Sequence, residues 1–260
     1  MTSYVNRQEP STSTDAVVAG LLEARATGRA PEAVATLNAP LEAALRLQLL
    51  VLERLQERGE EVSGWKLGLT AGPARQLMGG FRPFGYLLAS RTFRSGAQIG
   101  LAQITRCLIE PELCLVLGSD LRGQVSAEQA FAAVRAVAPA FELNELRLPP
   151  GATHAALVAD GVANWGLVVG PESPVTRELR QTRALLHADA EQVADSTPGD
   201  ELDDPYETLA RLAATLDRFG LGLAAGQFVL TGAFSVKPVE SPSTWRAEFG
   251  GVGSVEVRFS

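Results

Sequence analysis

The run Arg106-Cys107-Leu108-Ile109-Glu110-Pro111-Glu112-Leu113-Cys114-Leu115-Val116-Leu117 sets two glutamates inside an otherwise apolar stretch. It reads as part of a strand over 105–118, and strand geometry sends successive side chains to opposite faces. Glu110 and Glu112 therefore share a face, while Ile109, Pro111, Leu113 and Leu115 take the other. Two carboxylates on a half-buried face repel each other and lose hydration. A divalent cation between them removes both penalties, and ligation by oxygen alone favours Mg²⁺ or Mn²⁺ over zinc. An exposed edge strand with both acids in water fits the same residues, and such an edge tolerates Pro111.

Two further anomalies lie outward from this run. Glu142 sits in Val137-Ala138-Pro139-Ala140-Phe141-Glu142-Leu143, again an acid among apolar neighbours, where an arginine across a sheet is an equally good partner. Lys66 sits in Gly64-Trp65-Lys66-Leu67-Gly68-Leu69-Thr70 and alternates with Trp65 and Leu67. The chain carries 23 Lys and Arg, yet the only lysines are Lys66 and Lys237. In so arginine-rich a chain, Lys66 suggests a need for a compact, titratable ammonium. Such a group binds a carboxylate, or moves a proton if its pKa is depressed.

The rest of the pattern is α+β. Residues 1–14 are polar and expected to be disordered. A helix is expected from an Asp15 cap to Gly28, and a stronger one from Pro40 to Gly59 with a Leu41, Leu45, Leu49, Leu52 and Leu55 stripe. Further strands are expected over 62–70, 137–146, 167–170, 228–233 and 252–259. A capping box at Ser126 and Gln129 starts a helix carrying Phe131, Val134 and Val137. Asp204-Pro205 starts another, ending at Gly220, and residues 189–204 read as an acidic loop. The expected organisation is a helical part over 1–60 and a β-rich, metal-binding part over 61–260. Strands do not alternate regularly with helices, which argues against Rossmann and TIM-barrel folds.

Composition narrows the partners. The formal net charge is −7 with no basic run, which disfavours nucleic acid or an anionic membrane surface. No apolar stretch is long enough to span a bilayer, and Met1 to Asp15 lacks a signal-type segment. Cys107 and Cys114 fall on opposite strand faces and are poor candidates for pairing, so a reducing, cytoplasmic setting is expected.

Taken together, the segments around Lys66, Glu110-Pro111-Glu112 and Pro139-Ala140-Phe141-Glu142 resemble the 2-keto-4-pentenoate hydratase and 4-oxalocrotonate decarboxylase branch of the fumarylacetoacetate hydrolase superfamily. Val158-Ala159-Asp160, Ala225 to Gly232 and Gly253-Ser254-Val255 add to the resemblance, in order, from about residue 15 to the end. It implies a mixed β-roll with a helical N-terminal part, and Mg²⁺ or Mn²⁺ held by Glu110, Glu112 and Glu142. A small unsaturated 2-oxo acid would chelate the ion through its C1 carboxylate and C2 oxygen, giving a metal-bound enolate. Lys66 and Asp160 become the catalytic candidates. Arg106, Phe84, Asn164, Trp165, Thr231 and Lys237 become substrate-binding candidates, and a homo-oligomer is expected. The implied activity is that of a lyase, most like a 2-oxopent-4-enoate hydratase, with a 4-oxalocrotonate-type decarboxylase as the alternative.

Three segments depart from the family pattern. Gly161-Val162-Ala163-Asn164-Trp165 lacks the usual asparagine and serines after the aspartate. Arg82-Pro83-Phe84-Gly85 lacks its acid, and Ser241 to Trp245 lacks a Gly-Asp pair. With Phe84, Trp165 and Trp245 at altered positions, an isomerase or cyclase for a larger substrate is a further alternative. An inactive assembly partner is the non-enzymatic one. His154 and His187 read as loop residues with surface or packing roles.

Overall fold

The computed structural model describes residues 13–260; of the disorder expected over 1–14, residues 1–12 lie outside the described residues, while Ser13 and Thr14 are ordered as the cap and first residue of a helix. Three helices come first: α1 (Thr14–Thr27), α2 (Glu32–Ala35) and α3 (Leu41–Gln56). The cap of α1 is Ser13 rather than Asp15; its side chain accepts from the Ala16 amide, and Asp15 falls in the first turn, where its charge suits the helix dipole. Gly28 closes α1 at φ 71°, and a Cβ there would meet Thr105 Oγ1 at 1.9 Å. The apolar side of α3 is buried through Ala44, Leu45, Val51 and Leu52. In the same buried stripe, Gln48 donates to the Phe84 and Val158 carbonyls at 2.9 and 2.8 Å. The helices thus share one continuous core with the sheets.

The strands follow: β1 (Val62–Leu67), β2 (Phe84–Leu88), β3 (Thr92–Arg94), β4 (Ala97–Ile99) and β5 (Cys107–Leu117). After α4 (Ala127–Ala133) comes β6 (Val134–Glu145), then α5 (His154–Ala159) and β7 (Asn164–Val169). The hairpin β8 (Ala184–Ala188) and β9 (Glu191–Ser196) precedes α6 (Pro205–Asp217). The chain finishes with β10 (Phe228–Ala233), β11 (Lys237–Pro238), β12 (Ser243–Phe249) and β13 (Gly253–Phe259).

These strands form two sheets. One has eight strands in the order β2-β1-β10-β5-β6-β7-β3, with β11 also on β5; the other runs β4-β13-β12-β8-β9. The sheets pack through β6, β7, β12 and β13 to make the mixed α+β roll. Strand β5 is central, not an edge. Pro111 is tolerated because β10 ends opposite Glu112 and β11 resumes opposite Ile109, leaving a gap in the ladder at its missing N–H.

Several expectations are corrected. Helix α4 stops at Ala133, since the β-branched Val134 and Val137 belong to β6. The expected acidic loop holds strand β9, whose Glu191, Gln192 and Asp195 have weak strand propensity and are held by pairing with β8. His154 opens helix α5 and His187 lies in β8, so neither is a loop residue.

Candidate metal centre

The register of the large sheet assembles the centre. Strands β5 and β6 pair so that Glu110 lies directly opposite Glu142, while Glu112 stands two residues along the same face. A like-charge pair in direct cross-strand opposition is destabilising on its own. Here it is also buried: Glu112 and Glu142 are 2% and 1% exposed. Oxygens of all three glutamates lie within 4.8 Å of one another. A hard cation with metal–oxygen distances of about 2.0–2.6 Å spans ligand oxygens up to roughly 4–5 Å apart. The donor set and its spacing fit Mg²⁺ or Mn²⁺.

Hydrogen bonds hold one oxygen of a carboxylate and leave the other free. Glu142 Oε1 accepts from Lys66 Nζ at 2.5 Å and from Asn164 Nδ2 at 2.8 Å. Glu112 Oε2 accepts from the Gly232 amide at 2.7 Å. That amide is available because β10 bulges between Leu230 and Ala233, and only glycine fits: a Cβ there would meet Thr70 Oγ1 at 2.2 Å. Asn144 lies on the same strand face as Glu142, two residues on, and its buried Oδ1 has no partner among the described residues. Such supports orient ligands at metal sites.

The uncompensated charge shows in the titration behaviour. Burial first, then the Glu142 carboxylate, pushes Glu110 up to about 7 against the pull of Lys66. Glu112 rises well above the usual carboxylate range through burial, Glu142 and Glu110. Burial opposes the charge on Lys66, but the three glutamates outweigh it and its pKa goes up. Without the ion, the depressed lysine pKa allowed for from sequence is not what this acid-rich site produces.

The acids open into a cavity of ≈ 460 Å³ whose walls come from β1, β5, β6 and the segments after β1 and β10. Leu69, Val162 and Ala163 on its wall adopt φ of 60°, 55° and 61°. Left-handed backbone at a β-branched valine is strained. Its carbonyl is thereby presented to Lys66 Nζ at 3.1 Å. A larger cleft of ≈ 560 Å³, beside Arg29, Thr105, Arg106 and Pro149, contains none of the three glutamates. Chemistry, not size, selects the smaller one.

The other site expectations divide. Asn164 joins the centre through Glu142, as above. Asp160 does not line the cavity: both its oxygens are taken by Arg147, at 2.9 and 3.0 Å. Phe84 is buried edge-on to Trp65 and Phe219, and Trp165 stacks on Phe93 beneath Arg91. The Thr231 hydroxyl donates to the Leu113 carbonyl behind the wall. Arg106 donates to the Leu146 and Leu148 carbonyls, and Lys237 sits on β11 outside the wall. Sequence reasoning missed Asn144, which shares the strand face of Glu142 two residues on, and the Gly232 amide, which left no signal.

The fold is shared with a putative fumarylacetoacetate hydrolase family protein of Yersinia pestis CO92, at a TM-score of 0.58 and 17% identity over 75% of this chain and 92% of that one. No protein-family model matches it. It is 30% identical over 253 residues to a 2-keto-4-pentenoate hydratase of Burkholderia vietnamiensis, covering 94% of this chain and 96% of that one. It is 29% identical over 243 residues to a 4-oxalocrotonate decarboxylase of a Pseudomonas species, covering 90% and 93%. The 4-oxalocrotonate decarboxylase of Pseudomonas putida G7, solved with magnesium and adipate, superposes with a TM-score of 0.85 at 22% identity, over 97% of this chain and all of that one. The chain belongs to the 2-keto-4-pentenoate hydratase and 4-oxalocrotonate decarboxylase family.

Proposed function

We propose that this protein is a Mg²⁺-dependent lyase that acts on a small unsaturated 2-oxo acid, as a hydratase. The observation that carries the proposal is the Glu110, Glu112 and Glu142 cluster, held oxygen by oxygen and opening into a cavity beside Lys66. When bound, the ion supplies a Lewis acid that polarises the 2-oxo group of a chelated substrate. Glu110, Glu112 and Glu142 would hold it, with Lys66, Asn164 and the Gly232 amide fixing the last two carboxylates. Lys66 Nζ gives two of its three protons to Glu142 and the Val162 carbonyl. Its remaining N–H lies at the cavity wall, to bind the substrate head and hold a proton as water adds across the remote double bond.

Decarboxylation is the second reading, favoured by the similarity to two 4-oxalocrotonate decarboxylases. The isomerase or cyclase alternative finds no support, because Phe84, Trp165 and Trp245 are core residues outside the cavity. Cytoplasmic residence and a homo-oligomer complete the proposal. Two free, buried cysteines suit a reducing compartment, and sizing by light scattering tests the assembly.

Purified, Mg²⁺-loaded protein should consume 2-hydroxypenta-2,4-dienoate, followed by loss of its ultraviolet absorbance. Carbon dioxide release from 4-oxalocrotonate instead would select the decarboxylase. Turnover of neither, with metal bound, would defeat the lyase proposal.

A further inference from the structure

The cavity has two kinds of lining. Its acids, Lys66 and Asn144 come from β1, β5 and β6. The apolar side chains among the other lining residues are led by Leu69, Leu108, Leu146, Phe234 and Val236. Among the described residues, the one ionisable side chain on the wall outside the metal cluster and Lys66 is Glu201, exposed in the turn Gly199–Glu201. A substrate tail placed here meets hydrocarbon and a negative charge.

The nearby cations are committed elsewhere or off the wall. Arg75 pairs with Asp203 at 3.0 Å and donates to the Asp200 carbonyl at 2.7 Å. Arg106 is occupied by the Leu146 and Leu148 carbonyls. Lys237 follows Val236 onto β11, outside the wall. A second carboxylate on the substrate would therefore lose hydration without gaining a partner, and would face Glu201 as well.

We infer that the substrate's far end is uncharged, so that the site takes 2-oxo monocarboxylates and rejects the corresponding diacids, with Glu201 a specificity determinant at the rim. This rests on the metal-dependent reading above and adds a choice that the family name leaves open. One relative, a 2-oxo-hept-4-ene-1,7-dioate hydratase of Escherichia coli, acts by its name on a diacid, and another, a 2-keto-4-pentenoate hydratase, on a monoacid.

The test uses two unreactive probes of equal chain length, 2-oxopentanoate and 2-oxoglutarate, titrated calorimetrically into Mg²⁺-loaded protein. They differ only in a terminal methyl against a terminal carboxylate. The monoacid is expected to bind at least about tenfold tighter, the scale of one desolvated, unpartnered polar group. Glu201→Lys, an exposed substitution, should narrow that ratio several-fold by strengthening only the diacid. Equal or tighter binding of 2-oxoglutarate by the unaltered protein overturns the inference, and so does binding of neither probe. Because this readout needs no turnover, a monoacid preference stands even if the lyase assay fails, and a lyase that prefers diacids refutes the inference alone.

Discussion

Two buried charge clusters lie along β6, and they are built to opposite ends. Around Arg147, both oxygens of Asp160, an oxygen of Glu145 and the Asn164 carbonyl accept from one guanidinium, at 2.9 to 3.1 Å. The other Glu145 oxygen accepts from the Thr105 amide at 2.8 Å. That cluster is closed. Around Glu142, three carboxylates face one ammonium, and acceptor oxygens remain unfilled. A planar fork with five donors can complete two carboxylates; three donors on a point charge cannot complete three. The difference separates a structural ion network from a site that still requires a cation.

The sharpest way to break this contrast is Glu110→Gln, which removes one charge from the facing Glu110–Glu142 pair with little change of shape. Turnover should fall by about 10²–10³ or more, the loss expected for an electrostatic stabiliser. Metal-free thermal stability should rise, and the Mg²⁺-induced shift in Tm should shrink. A metal-free protein that loses stability on this substitution would show that the acids are not repelling one another.

At the closed cluster the sign reverses. Arg147→Ala strands two buried carboxylates and should cost about 3–5 kcal/mol, read from urea unfolding. A loss below about 1 kcal/mol would remove the distinction between the clusters.

Acidity gives an intermediate effect on the metal-free protein. Glu110 is held near 7 in the fold against an ordinary value of 4.5, so the folded state binds the proton more tightly. The resulting stability is present below about 4.5 and is lost as pH rises through about 7. Thermal melts from pH 5 to 8 should therefore decline without metal and flatten with saturating Mg²⁺. A metal-free stability that climbs over this range would contradict the assigned repulsion.

Asn164→Leu should give the smallest change. It deletes one donor to Glu142 while keeping the backbone carbonyl that serves Arg147. Mg²⁺ affinity should drop about 10–100-fold by calorimetry. An unchanged affinity would detach Asn164 from the metal centre.

Much of the open cluster was legible in the sequence because period-two alternation is strict in a buried strand. Glu110 and Glu112 were placed on one face by it, and the same rule applied to Glu142 would have supplied Asn144. The closed cluster was not legible, because Asp160 and Arg147 are joined through space by a reversal over 148–159 that no periodicity encodes. Family resemblance pointed to Asp160, and the chain's own arginine claims it. Phe84 was misplaced for a related reason. On β2 it is Gly85 that approaches Lys66, and a Cβ there would meet the Gly161 carbonyl at 2.8 Å, so the aromatic ring points into the core. Strand β9 escaped because its polar residues are fixed by pairing with β8 rather than by their own composition.

The bulge that frees the Gly232 amide has a kinetic consequence. Lys66, Glu110, Glu142 and Gly232 come from β1, β5, β6 and β10, so the ligand cage spans most of the chain length. Contacts so distant in sequence form late in folding, once their loops have closed. An ion bound in that cage stabilises the native state more than the barrier that precedes it. Magnesium should thus act as a latch: it slows unfolding and leaves the rate of folding nearly unchanged.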